Sequence, residues 1–167
     1  MKKTAKNKKQ YYATILRPDG VAVTAEPVTR NRFDIENATV MIAGELDTNC
    51  EYLYCEVNEL TKITALDAKD ISAPNNLLTM INAPNVELID CHNNQLTELN
   101  LPKARVIKCD GNDLTKIIAP TCERLICYGN PNLTLENITV AKHCFIELDN
   151  GEIHVYGRRE EYNELAI

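Results

Sequence analysis

An interval of 18 residues governs this sequence. Asparagine recurs at Asn58, Asn76, Asn94, Asn112 and Asn130, and the chain around it falls into rows: TNCEYLYCEVNELTKITA (48–65), LDAKDISAPNNLLTMINA (66–83), PNVELIDCHNNQLTELNL (84–101) and PKARVIKCDGNDLTKIIA (102–119). Leu53, Ile71, Ile89, Ile107 and Leu125 form one column, and Leu60, Leu78, Leu96 and Leu114 another. Thr61, Thr79, Thr97 and Thr115 form a third, and Cys55, Ala73, Cys91, Cys109 and Cys127 a fourth. Self-similarity at a short fixed period restricts a chain to repeat architectures, in which each coil packs only on its neighbours.

The rows drift at the C-terminal end. PTCERLICYGNPNLTLENI keeps Cys122, Leu125, Cys127 and Asn130 but delays Leu133 and Thr134 by one place. A degenerate sixth row, AKHCFIELD, puts Ala141, Cys144, Ile146 and Asp149 in the corresponding positions. Upstream, FDIENATVMIAGEL matches only loosely.

Written as apolar-x-x-apolar-x-apolar-x-x-Asn-x-Leu, as in VELIDCHNNQL with Val86, Ile89, Cys91, Asn94 and Leu96, each row between 48 and 149 resembles the leucine-rich repeat. Family repeats run to ~20–29 residues, so 18 leave no room for a helix on the outer side. The return through Leu99-Asn100-Leu101-Pro102 is therefore expected to be extended or turn-like. The resemblance implies a leucine-rich repeat solenoid: a right-handed curved coil with a parallel concave β-sheet, mostly β and irregular, capped by β-hairpins.

In such a stack, equivalent residues of successive coils lie ~4.8 Å apart, so the cysteine column is expected to be buried beside the leucines as small hydrophobes. A linear column interrupted by Ala73 does not converge tetrahedrally on a metal ion, and no cofactor is expected. Strand spacing alone permits a disulfide, whereas a chain with no signal-peptide core points to a reducing compartment and to thiols. Each column asparagine is expected to turn inward and satisfy backbone groups at a bend.

A solenoid needs caps. YYATILRPDGVAVTAEPV reads as a hairpin turning at Pro18-Asp19-Gly20, and CFIELDNGEIHVYG as another turning at Asn150-Gly151, with His154 on it. The expected organisation is a basic tail (1–10), an N-terminal cap (11–47), repeats (48–149) and a C-terminal cap and tail (150–167).

Residues between the inward positions face solvent on the expected concave sheet. One outward column reads Tyr52, Asp70, Leu88, Val106, Arg124 and His143. The next reads Tyr54, Ser72, Asp90, Lys108, Ile126 and Phe145, and the third Glu56, Pro74, His92, Asp110, Tyr128 and Glu147. Apolar and aromatic groups on a face that burial within the fold does not require, surrounded by charge, are typical of protein interfaces. The expected partner-binding set is Tyr52, Tyr54, Leu88, Asp90, His92, Val106, Lys108, Asp110, Arg124, Ile126, Tyr128 and Phe145. Asp90 beside Lys108 and His92 beside Asp110 read as lateral charge pairs rather than as acid/base machinery, since a shallow sheet offers catalysis no pocket.

No phosphate-cradling glycine loop, nucleophile elbow or metal-ligand spacing occurs in the sequence. Five lysines in the first nine residues account for part of the total charge of −6; subtracting them leaves −11 on the rest, which repels nucleic acid. No stretch reaches the ~20 apolar residues of a membrane span.

Short repeats with a bare outer side resemble the leucine-rich-repeat effectors of bacterial pathogens. Glu160, Glu161, Glu164 and Leu165 in RREEYNELAI are similar to the glutamate-rich C-terminal signal of Legionella Dot/Icm type IV substrates. That resemblance implies a monomeric, non-catalytic protein, made in the bacterial cytoplasm and translocated into a host, that binds a protein target through its concave face. The alternatives are an endogenous cytosolic scaffold and, third, an enzyme using the His92/Asp110 region.

Overall fold

The computed structural model describes residues 11–25, 31–34, 42–149 and 153–155. Each 18-residue row makes two short straight runs and two bends, and the rows stack as a β-solenoid. On one side the runs form a long sheet of Arg32–Asp34, Tyr52–Tyr54, Asp70–Ser72, Leu88–Asp90, Val106–Lys108, Arg124–Ile126 and Phe145–Glu147, all parallel. In every one of these strands the middle residue is buried and its neighbours point outward, the period-2 alternation of a pleated strand.

The return path, expected to be extended or turn-like, is regular strand. Ala43–Thr48, Glu59–Thr64 and Met80–Asn82 pair in parallel on the other side. Glu98–Asn100, Lys116–Ala119 and Ile138–Val140 form a second parallel set there. The two sets are separate sheets, because Met80–Asn82 and Glu98–Asn100 are not paired. Thr79 and Thr115 each donate their backbone N–H to the threonine one coil earlier at 2.9 Å, but Thr97 has no such bond to Thr79. The interruption coincides with the bulkiest row, whose buried Val86 and Leu101 stand where the flanking rows carry Ala68, Ala83, Ala104 and Ala119.

The first bend depends on a left-handed residue followed by asparagine. Val57, Asn75, Asn93, Gly111 and Gly129 hold φ of 53°, 56°, 54°, 64° and 67°. The asparagine that follows each one turns inward, as expected. Asn94 accepts from the Leu78 N–H at 2.9 Å and donates to the carbonyls of Ala73, Cys91 and His92. Asn76, Asn112 and Asn130 repeat the pattern one coil apart. These amides satisfy backbone groups that neighbouring coils shield from water.

The second bend is a β-turn closed by Ala68 N–H to Ala65 O, Val86 to Ala83, Ala104 to Leu101 and Cys122 to Ala119, at 2.9–3.2 Å. Pro84, Pro102 and Pro120 occupy the second turn position, where their fixed φ is already correct. No residue at the third position has positive φ, so these are type I rather than type II turns.

All seven cysteines are buried and unbridged, packed as small apolar residues among the leucine, isoleucine and alanine columns. The register holds at 18 from Tyr52 to Arg124 and then jumps to 21, with Ile117 opposite Ile138 and Arg124 opposite Phe145. Three extra residues are therefore inserted after Asn130, and a 3-10 turn at Leu135–Asn137 takes them up.

At the N-terminal end Ala13–Leu16 and Ala22–Ala25 form the expected hairpin, and Ala13–Leu16 docks antiparallel on Ala43–Thr48. That docking is close enough that a Cβ at Gly44 would run into the Leu16 carbonyl. At the other end Ile153–Val155 pairs antiparallel with Phe145–Glu147, as a hairpin requires. Its turn at Asn150-Gly151, the lysine-rich residues 1–10 and the glutamate-rich C-terminus lie outside the described residues. Among the described residues no helix is long and apolar enough to cross a membrane.

Candidate binding face

The long sheet lines up its outward residues in two ladders. The first runs Tyr52, Asp70, Leu88, Val106, Arg124 and Phe145, and the second Tyr54, Ser72, Asp90, Lys108, Ile126 and Glu147. The last rung differs from expectation: Phe145, not His143, sits beside Arg124, and Glu147 beside Ile126. Ile146 pairs with Leu125, which fixes its outward neighbours as Phe145 and Glu147.

Leu88 is 46% exposed, Tyr128 41% and Tyr52 38%, while Val106 and Ile126 are half-buried. Arg124 lies 5.8 Å from the centroid of the Phe145 ring. Tyr54 is held within the sheet: its hydroxyl donates to Asp70 Oδ2 at 3.1 Å, and the Arg32 guanidinium stacks 4.2 Å above its ring. Sequence reasoning did not bring Arg32 to this face, because its register to Tyr52 is 20 rather than 18.

The charged centre is rearranged. Asp90 pairs with Lys108 at 3.4 Å, as its column position implies. His92 Nδ1 meets Asp90 Oδ1 at 2.5 Å and Lys108 Nζ at 3.0 Å, rather than pairing with Asp110. One ring nitrogen cannot both donate and accept, so Nδ1 satisfies Asp90 or Lys108 but not both at once, while the Asp90 carboxylate is shared between His92 and Lys108.

Asp110, expected to face outward, is only 5% exposed, and its Oδ1 is buried without a hydrogen-bond partner. It lies at the bend, past the end of the Val106–Lys108 strand, where alternation no longer dictates direction. The Asp110 carboxylate pushes the Tyr128 phenol above its ordinary value, first by charge and then by hydrogen bonding. Among the described residues no three His, Cys, Asp or Glu side chains converge as ligands for a metal ion.

A second feature went unread in the sequence. A groove of about 470 Å³ lies on the opposite side, lined by Leu16, Arg17, Gly44, Thr61 and Leu77 among others. The doublet Leu77-Leu78 was its signal, since one of two consecutive apolar residues in an extended segment must face outward. No family model, curated protein or solved structure matches the chain significantly.

Proposed function

We propose that the chain is a non-catalytic protein–protein interaction module that binds its target through the outward face of the long sheet. The observation that carries this reading is Leu88, 46% exposed in mid-sheet between Asp70 and Val106. Its side chain contributes little to the core, and with Tyr52, Val106 and Tyr128 it offers an apolar centre ringed by Asp90, Lys108 and Arg124. Arg32 and Asp70 hold Tyr54 in place as part of a preformed surface.

The repeat pattern resembles leucine-rich repeats, and the short row length supports the finer reading of a bacterial effector that acts by occupying a host protein. The test is affinity capture from host-type and bacterial lysates with wild type and a Leu88→Asp/Tyr128→Ser variant. Both positions are exposed, so the variant should fold. A partner held by wild type and lost by the variant supports the reading. Identical partners on both defeat it and move attention to the Leu16–Leu77 groove.

A further inference from the structure

We infer that the Ala22–Ala25 strand is a self-association site, pairing antiparallel with the same strand of a second copy across a two-fold axis at Val23. This surface is separate from the long sheet, and the dimer replaces the monomer that the repeat resemblance implies. Among the described residues no strand meets the outer edge of Ala22–Ala25, which ends the five-stranded sheet.

The hydrogen bonds fix which groups that edge offers. Arg17 donates its N–H to Val21 O at 2.9 Å, and bonded and non-bonded pairs alternate along an antiparallel ladder. Ile15 and Val23 are then a bonded pair, whereas Leu16 opposite Ala22 and Thr14 opposite Thr24 are not. The N–H and C=O groups of Ala22 and Thr24 therefore point away from the hairpin, leaving four backbone groups that need partners. Centring a second copy at Val23 sets Ala22 opposite its Thr24 and Thr24 opposite its Ala22, which meets all four. Registers centred on Ala22 or on Thr24 meet only two.

The side chains fit the same axis. Val23 lies opposite the buried Ile15, on the core face, yet it is only half-buried, and Val21 is 51% exposed. A two-fold axis normal to the sheet keeps that face continuous and brings the two Val23 side chains together as a non-bonded pair. The edge carries none of the usual guards, since residues 21–25 read VAVTA, with no charge and no proline. Of the other sheet ends, Arg32–Asp34 carries an ion pair, Ile153–Val155 a histidine, and Ile138–Val140 has its Ile138 already buried. Because the same patch serves both copies, the pairing closes at two and builds no fibre. Four residues span ~14 Å, a small contact beside the ~800 Å² per partner of a standard interface, so the dimer is expected at micromolar rather than nanomolar concentration.

The experiment measures the mass of the full chain by sedimentation equilibrium from low to high micromolar concentration, beside Thr24→Pro and Leu88→Asp, and oxidises Val23→Cys and Thr24→Cys with copper phenanthroline. Proline at position 24 deletes an N–H that the hairpin does not use, so the fold is kept while two intermolecular bonds are lost. The mass of wild type and of Leu88→Asp should rise toward that of two chains, and that of Thr24→Pro should not. Val23→Cys should form an interchain disulfide, because its Cα atoms lie ~4.5 Å apart across the axis. Thr24→Cys should form about tenfold less, its two positions lying ~7–8 Å apart on the diagonal, beyond disulfide reach. A single-chain mass throughout overturns the proposal, as does equal cross-linking at the two positions. Self-association that survives Thr24→Pro but is lost in Leu88→Asp also overturns it and assigns the contact to the long sheet.

Discussion

The side-chain amide of Asn94 reaches the carbonyl of Ala73, 21 residues earlier, at 3.0 Å. With its bonds to Leu78, Cys91 and His92 it ties two successive rows at one buried point. Replacing it by alanine leaves the buried Leu78 N–H without a partner, at about 1–3 kcal/mol for a buried group left unmet. The carbonyls of Ala73, Cys91 and His92 keep second donors in Asn76, Asn112 and the Asn75 N–H. Asn94→Ala should therefore lose about 1–3 kcal/mol, read from the urea unfolding midpoint. A loss below about 0.5 kcal/mol would show that the ladder is replaceable by solvent.

Val57 holds φ of 53° in the position that Asn75, Asn93, Gly111 and Gly129 fill in later coils. Left-handed backbone is strained for a β-branched side chain, by about 1–2 kcal/mol, and relaxed for asparagine. At 62% exposure the valine gains little from packing. Val57→Asn should raise stability by about 1 kcal/mol, and an amide there would extend the surface bond in which Asn93 donates to Asn75 at 3.0 Å. Thermal melting decides; an unchanged or lower midpoint would mean the strain is not relieved.

The break between Met80–Asn82 and Glu98–Asn100 should be visible in solution. Ala65 N–H bonds to Asn82 O and Leu101 N–H to Ile118 O, both at 2.9 Å, while Ala83 has no equivalent bond. Amide hydrogens outside a ladder exchange with solvent without waiting for the coil to open. Thr97 and Ala83 should exchange about tenfold faster or more than Thr79, Thr115 and Ala65. Uniform protection across these five would place the missing ladder in the wrong coil.

Why the inward columns could be read and other features could not follows from the same geometry. Parallel stacking makes residues 18 apart spatial neighbours, so Ile71, Ile89 and Ile107 declare their burial by repetition. The insertion after Asn130 erased that signal; although Ile146 was recognisable as inward, the outward residues beside it were assigned two places early. Alternation was also carried past strand ends, where it no longer governs: His92 is half-buried, Asp110 buried and Tyr128 exposed, all at the same row position. The split of the second sheet changes no row length, since rows 66–83 and 84–101 are equal; its mark is only the bulk of Val86 and Leu101 in place of alanine.

Asp110 and Tyr128 predict a titration. The carboxylate raises the Tyr128 phenol above its ordinary value because a phenolate beside a buried carboxylate is repelled. Asp110→Asn removes that charge with little change of shape. The Tyr128 absorbance transition, isolated as the difference from a Tyr128→Phe variant, should move to lower pH in Asp110→Asn. A transition that stays in place would mean that Lys108, which acts in the opposite sense on the same phenol, already cancels the carboxylate.

The cysteine column sets an alkaline limit on the fold. Burial raises the thiols of Cys91 and Cys109 and pushes Cys127 up to about 12. In the unfolded chain these thiols return to about 8.5. A folded value above the unfolded one means that the native state binds more protons in between, so stability is complete below about pH 8.5 and declines as pH rises through the window toward 12. Urea midpoints should therefore be level from pH 7 to 8 and fall from about 9 upward. Cys109→Ala keeps a small apolar residue, as Ala73 does in the same column, and removes one titrating group, so its decline should be shallower than that of wild type. A parallel decline in the two proteins would assign the loss to the surface lysines and tyrosines instead.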